Sequence, residues 1–101
     1  MTQKKLAPVH PGEVLGEEFL GPMGLSQNAL ARAIGVPPRR INEIVHGSRR
    51  VSANSALRLA RFFATSPEFW LGLQMDYDLD VETDRLEDRL EREVQPYRKA
   101  G

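Results

Sequence analysis

The stretch QNALARAIGVPPRRINEIVH, Gln27 to His46, contains two short segments with apolar residues at helical spacing, joined by Gly-Val-Pro. Ala31 is small where two helices would cross, and Gly35 can take the left-handed backbone that other L-residues avoid. A helix pair joined by a short glycine-containing turn can place its second helix in the DNA major groove. The stretch therefore predicts a helix-turn-helix over residues 27–46, with an ordinary helical hairpin as the alternative.

Two prolines, Pro37 and Pro38, stand where the second helix of this motif would start. The first backbone N–H groups of a helix have no partner within it, so a missing N–H costs little there. We therefore expect the prolines to begin this helix. The pairs Arg39-Arg40 and Arg49-Arg50 bracket it and supply positive charge at both ends.

Residues that begin and end helices lie on either side of the motif and predict further helices. HPGEVLGEEFL, from His10, predicts a first helix that ends at Gly21-Pro22, and Ser26, Ser52 and Ser66 are suitable N-caps for later ones. The fold predicted is all-α: five short helices in a bundle, with a sixth helix in an acidic C-terminal extension. The fourth and fifth helices are expected to bury Ala56, Leu57, Leu59, Ala60, Phe63, Phe69, Trp70, Leu73 and Met75.

Composition limits the classes of function. The 101 residues suit one small domain with a tail, and the absence of cysteine excludes disulfides, thiol catalysis and cysteine-based zinc sites. There is no apolar run of membrane-spanning length and no signal-peptide pattern, so we expect a cytoplasmic protein without a membrane partner. We find no catalytic constellation or phosphate loop, and no cofactor is expected.

The net charge of zero conceals a charge asymmetry. Residues 1–65 carry nine lysines and arginines against four acids, whereas residues 66–101 carry five against ten. A basic front and an acidic back indicate two surfaces with different partners, although a solvated acidic helix that only aids solubility would look the same.

The candidate base-reading residues lie at the start of the second helix of the motif: Pro38, Arg39, Arg40, Asn42 and Glu43. Arginine can read guanine, asparagine adenine and glutamate the cytosine amino group. Arg39 and Glu43 are four residues apart, so either both read bases or Glu43 pairs with Arg39 and orients it; pairing is favoured in the free protein.

The candidate phosphate contacts lie at the edges of the motif: Gln27, His46, Ser48, Arg49 and Arg50. Gln27 starts the first helix of the motif, where a backbone N–H can face a phosphate. His10 and His46 have no third ligand at metal spacing, so neither predicts a metal site.

The segments HPGEVLGEEF and LSQNALARAIGVPPRRINEIVHGSRRVSANSALRLARFFATSPEFWLGLQMDYDL resemble the HigA-type antitoxins of the phage-repressor-like (XRE) helix-turn-helix superfamily. The resemblance covers roughly residues 8–79 and implies a five-helix, lambda-repressor-like DNA-binding domain. It also implies a homodimer that binds palindromic operator DNA and represses its own operon. It also implies a partner, a HigB-type (RelE-like) mRNA endonuclease toxin that the protein neutralises.

Matched to this family, Gln27 takes the phosphate-contacting place, and Pro38, Arg39 and Glu43 fall where relatives touch bases. Pro38 departs from the usual Ser or Gln and removes a donor, which shifts the expected base reading towards Arg39, Arg40 and Asn42. The domains predicted are an N-terminal arm (1–9), the DNA-binding domain (10–79) and the acidic extension (80–101). The competing functions are a stand-alone XRE-family repressor without a toxin and an interaction module that has lost DNA binding.

Overall fold

A computed structural model of the chain describes residues 7–98. These residues form helices joined by short turns, and no strand occurs among them. Helix α1 consists of Pro11–Val14, a π-helical segment Leu15–Leu20, and a last turn Gly21–Met23. The other helices are α2 (Gln27–Ile34), α3 (Pro38–His46), α4 (Ala53–Phe63), α5 (Pro67–Leu86) and α6 (Arg89–Glu93). The all-α prediction is confirmed.

The predicted helix starts are confirmed by their capping bonds. The hydroxyls of Ser26, Ser52 and Ser66 each accept a hydrogen bond from the backbone N–H three residues on, at 3.0, 3.2 and 3.1 Å. His10 caps α1 with its ring, since Nδ1 accepts from the N–H of Gly12, two residues on, at 2.8 Å. Gly35 ends α2 with φ +73°, the left-handed turn that the motif requires.

The prediction that α1 ends at Gly21-Pro22 is wrong. The helix continues to Met23 and ends at Gly24, which has φ +61°. Pro22 normally disturbs a helix because it lacks an N–H and its ring meets the carbonyl four residues back. Here the π-helical segment precedes it, with the Gly21 N–H bonded to the carbonyl of Gly16, five residues back. This wider turn changes the register of the carbonyls and lets the helix pass through the proline.

One apolar core joins the helices. Trp70 is fully buried, and its ring lies 5.0 Å from Phe19 and 6.1 Å from Phe63 between ring centroids. Its indole Nε1 donates to the Thr65 hydroxyl at 2.9 Å, which satisfies the one polar group of the ring. The remaining buried apolar residues are Leu15, Leu20, Leu30, Ala31, Ile34, Val36, Ile41, Ile44, Val51, Ala56, Leu59 and Ala60.

Three residues predicted to be buried are exposed instead. Leu57 on α4 is 59% exposed, and Phe69 and Met75 on α5 are 39% and 58% exposed. Helical spacing marks an apolar stripe, but α4 and α5 are covered on one side only, so the edges of each stripe remain uncovered. The exposed residues therefore form an outer apolar surface.

The acidic end of the chain is organised differently from the prediction. Helix α5 runs without interruption through residue 79, the predicted limit of the DNA-binding domain, and the separate sixth helix is confined to Arg89–Glu93. No glycine or proline lies between Leu73 and Leu86 to stop the helix. The predicted Asp88–Arg92 ion pair is present at 2.6 Å. The boundary at residue 79 stays a prediction, since no loop marks it.

Candidate nucleic-acid interface

Helix α3 is held by its apolar side and presents its polar side. Ile41 and Ile44 are fully buried and fix the orientation of the helix against the core. Arg39, Asn42 and Glu43 lie at helical spacing on the other side, followed by the exposed His46 one turn later. The helix begins at Pro38 and ends at Gly47, which has φ +82°.

Glu43 lies between two arginines. Arg39 Nε donates to one carboxylate oxygen at 2.7 Å, and Arg49 Nε donates to the other at 2.8 Å. The predicted pairing of Glu43 with Arg39 is therefore present in the free protein. The hydrogen bonds from Arg39 and then Arg49 lower the pKa of Glu43. The cluster is thus intact at neutral pH and is lost only as the pH falls below the ordinary range of a glutamate.

The Arg39 side chain remains largely accessible despite this pairing. It is 84% exposed, whereas the side chain of Glu43 is 27% exposed. Exposed ion pairs contribute little to stability, so the pair orients the guanidinium without holding it strongly. The Arg39 donors that Glu43 does not bind therefore remain accessible to solvent.

The two helices of the motif are joined on their polar side by Gln27 and Asn42. Asn42 Nδ2 donates to Gln27 Oε1 at 2.6 Å. The structure thus brings together a predicted phosphate contact and a predicted base reader. Each side-chain amide keeps a second polar group, Gln27 Nε2 and Asn42 Oδ1, that this hydrogen bond does not use.

Arg40 points to a different neighbour from Arg39. Its Nη1 donates to Asn54 Oδ1 at 2.7 Å, on the first turn of α4. Arg58 Nε donates to the same oxygen at 3.0 Å, and Arg58 Nη1 donates to the Ile34 carbonyl at 2.7 Å. Sequence reasoning missed Asn54 and Arg58, because the contacts that tie them to the motif span 14 and 24 residues. Only the contact between Asn54 and Arg58 is local, at four residues along α4.

The loop after α3 separates the second arginine pair. Arg49 turns back to Glu43, whereas Arg50 Nη1 lies 2.8 Å from Asp78 Oδ2 on α5. Ser48, a predicted phosphate contact, closes the helix end by donating its backbone N–H to the Glu43 carbonyl at 2.9 Å. Burial alone would raise the pKa of Asp78, but hydrogen bonds from Gln74 and Arg50 outweigh it and lower that pKa.

The same loop is tied to α5 by a buried amide. Gln74 is only 2% exposed; its Oε1 accepts from the Val51 N–H at 2.7 Å and its Nε2 donates to Asp78 at 2.9 Å. Sequence reasoning did not single out Gln74. The available signal was its position four residues after Trp70, a polar residue on the buried side of the helix.

His10 has a structural place beside this loop. Its ring lies edge-on to Tyr77, with centroids 4.9 Å apart, and burial lowers its pKa although Asp78 opposes the shift. A neutral ring suits the Nδ1 that accepts the capping bond of α1.

Over residues 7–98, no group of three or more His, Asp or Glu side chains could hold a metal ion. Within the same range, no helix is both long and apolar enough to span a membrane.

The chain is similar to known proteins. A helix-turn-helix family profile matches residues 17–70. Virulence-associated protein I of Dichelobacter nodosus is 51% identical over 79 residues, which are 78% of this chain and 73% of that protein. Antitoxin HigA-1 of Vibrio cholerae is 40% identical over 79 residues, 78% of this chain and 74% of that protein.

A solved structure extends the comparison to nearly the whole fold. The Pseudomonas aeruginosa antitoxin HigA, solved with higBA promoter DNA, superposes with a TM-score of 0.86 at 42% identity. The match covers 90% of this chain and 99% of that one. The chain therefore belongs to the HigA-type antitoxins of the XRE helix-turn-helix superfamily, a family of DNA-binding proteins and not of enzymes.

Proposed function

We propose that the protein binds its own operator DNA and represses its own operon, using α3 as the recognition helix. The observation that carries this proposal is the face of α3, where Arg39 and Arg49 converge on Glu43 beside the Gln27–Asn42 pair. A basic front half provides the charge that DNA phosphates require. The similarity to a HigA solved with its promoter supports the same use here. Because the proposed target is operator DNA in the cytoplasm, we expect the protein to act there.

Binding to the DNA upstream of its own gene tests this proposal. We expect nanomolar-range binding to that DNA, weaker binding to an unrelated duplex of equal length, and an affinity that falls steeply with salt. Equal affinity for both duplexes at every salt concentration would contradict sequence-specific repression. A reporter fused to the same promoter would then show whether binding represses transcription.

Replacing Arg39 with alanine should weaken binding to the operator by about 1–3 kcal/mol and relax its sequence preference. The reason is that Arg39 is 84% exposed on the first turn of the proposed recognition helix, where its free donors can meet a base edge. Affinities for a set of operators with single base-pair changes provide the measurement.

Arg49→Ala is the matched comparison, because it removes the other partner of Glu43. It should weaken binding to all DNA similarly and flatten the salt slope by about one unit, as expected of a phosphate contact. Swapped outcomes, with uniform loss for Arg39 and selective loss for Arg49, would reverse the proposed roles.

We propose that the repressor is a homodimer formed through the outer face of α5. A palindromic site needs two recognition helices about 34 Å apart. Leu71, Met75 and Leu79 are 38%, 58% and 59% exposed, and they recur every fourth residue along α5. An exposed apolar stripe of this kind marks an association surface. Light scattering at micromolar concentration should give twice the chain mass, and a monomer with and without DNA would argue strongly against the dimer.

We further propose that the protein neutralises a HigB-type (RelE-like) mRNA endonuclease with its acidic extension, residues 80–101. A toxin that binds RNA needs positive charge, and residues 80–101 carry seven acids against five bases. Leu90 and Val94 are 51% and 58% exposed, which adds apolar contact area to the acidic surface.

Truncation after Leu79 should abolish toxin neutralisation while operator binding persists in part. The measurement is growth rescue when each variant is co-expressed with the toxin encoded beside its gene. The matched control is the full-length chain with Arg39→Ala, which should bind operator DNA poorly and still rescue growth. Full rescue by the truncated chain would show that the extension is not the inhibitory element.

A stand-alone repressor is the second candidate. It is favoured by the internal pairing of charges in the extension, where Arg85 pairs with Glu82, Arg89 with Glu93 and Arg92 with Asp88. These pairs place an arginine beside three of the segment's carboxylates without a partner protein. A neighbouring reading frame for a small basic protein, and its toxicity when expressed alone, separate the two functions.

A further inference from the structure

Asn54 lies outside the helix-turn-helix motif but contacts it directly. It stands on the first turn of α4, and its Oδ1 accepts hydrogen bonds from Arg40 at 2.7 Å and from Arg58 at 3.0 Å. Two guanidinium groups therefore share one neutral oxygen. Arg40 is the second residue of its pair, and no carboxylate lies within ion-pair distance of it in residues 7–98.

The second arginine makes this arrangement rigid. Arg58 Nη1 donates to the carbonyl of Ile34, the last residue of α2, at 2.7 Å. A helix C-terminus carries unpaired carbonyls, and a guanidinium satisfies them well. Arg58 is thus fixed to the turn of the motif and donates a hydrogen bond to Asn54. Asn54 in turn accepts a hydrogen bond from Arg40.

Asn54 and Glu43 each bind two arginines, but Asn54 is neutral and Glu43 is charged, and this difference indicates the role of Asn54. Glu43 holds Arg39 and Arg49 with a carboxylate, so one positive charge of that pair is neutralised. Asn54 holds Arg40 and Arg58 with an amide, so both positive charges remain available. Orientation by a neutral acceptor is suited to a cation whose task is to meet a negative phosphate.

We propose that Asn54 is a positioning residue that directs Arg40 to a DNA phosphate, in place of the base contact expected from the sequence. Arg40 then contributes affinity for any duplex, and Arg39 carries the base preference. This inference rests on the proposed operator binding. An arginine fixed before binding loses less side-chain freedom on contact, which corresponds to a gain of about threefold to tenfold in affinity.

A double-mutant cycle tests the proposal on the full-length protein. Asn54→Ala should weaken binding to the operator and to an unrelated duplex by the same factor, about threefold to tenfold. In an Arg40→Ala background, Asn54→Ala should have no further effect, because its influence passes through Arg40. Gln95→Ala, an exposed amide in the extension, is the matched control and should change neither affinity.

Asn54→Asp separates position from charge and serves if the alanine variant does not fold. A carboxylate keeps both hydrogen bonds but neutralises one charge, so the salt slope should flatten by about one unit while the sequence preference is kept. A purely structural role would change the melting temperature and leave the cycle additive.

The inference is overturned if Asn54→Ala weakens the Arg40→Ala variant as much as the wild type, or if the loss is confined to the operator. It is also overturned if Asn54→Asp binds with the wild-type salt slope. Failure of the wild-type protein to prefer its own promoter would overturn the proposed function itself, and that result is read before any variant is compared.

Discussion

Replacing Gly12 with alanine is expected to lower the free energy of unfolding by more than about 3 kcal/mol and to abolish operator binding at physiological temperature. A Cβ built on Gly12 would stand 1.7 Å from the Ile44 carbonyl oxygen and 2.6 Å from its carbon. These are backbone atoms of the recognition helix, so no side-chain rotation can relieve the clash. The added methyl group must push α1 away from α3.

The stability lost through this clash should far exceed the stability gained from the higher helix propensity of alanine. Alanine is the better helix former by about 1 kcal/mol, but that gain is smaller than the cost of separating two packed helices. A domain of this size has only about 5–15 kcal/mol of stability in total. Thermal unfolding followed by circular dichroism measures the change, and a footprint on the operator measures its consequence.

Two other glycines in helices provide matched controls. A Cβ on Gly16 would lie 3.7 Å from a Val45 methyl group, an ordinary contact, and a Cβ on Gly72 would meet nothing within 4 Å. Gly72→Ala should stabilise the chain by about 0.5–1 kcal/mol, since it lies inside α5. If Gly72→Ala lowered the free energy of unfolding as much as Gly12→Ala, the contact with Ile44 would not be the cause of the destabilisation.

Replacing Trp70 with alanine is expected to cost about 3–5 kcal/mol, the range for a large buried aromatic residue. Trp70 is fully buried, and its ring lies against Phe19, Phe63 and Phe69. Truncation leaves a cavity among these rings and also leaves the Thr65 hydroxyl without its donor. Chemical unfolding provides the measurement.

Trp70→Phe should cost substantially less, because it keeps most of the ring contacts and loses the indole hydrogen bond. Tyr97→Ala is the exposed comparison, since Tyr97 is 91% exposed and should change stability within about 0.5 kcal/mol. If Trp70→Ala and Tyr97→Ala had similar effects, the aromatic cluster would not be the centre of the core.

Local signals predicted the parts of the fold that depend on neighbouring residues. Ser26, Ser52 and Ser66 cap helices because a hydroxyl satisfies an N–H three residues away, and Gly35 turns because it lacks a Cβ. Pro38 begins α3 for the same kind of local reason. The pairing of Arg39 with Glu43 is likewise a contact within one helical turn.

Contacts between distant elements could not be predicted in this way. The close approach of Gly12 to Ile44 depends on how α1 crosses α3, and a glycine in a helix indicates only that some packing reason exists. The contact of Arg40 with Asn54 depends on where α4 lies. The exposure of Leu57 and Met75 depends on which sides of α4 and α5 are covered. The spacing of apolar residues shows which side of a helix faces the core. It does not show how many of the residues at the edges of that side are covered.

The uninterrupted course of α5 has a mechanical consequence for a chain that is pulled from its C-terminus, as by an energy-dependent protease. Unwinding that starts at Leu86 proceeds about two turns before it reaches Asp78 and releases Arg50, and about one more turn before it frees Val51 from Gln74. Trp70 is reached only afterwards. Pulling on the extension would therefore release the loop that follows α3 before Trp70 and the core are reached. The DNA contacts proposed for this loop would then be lost before the domain unfolds.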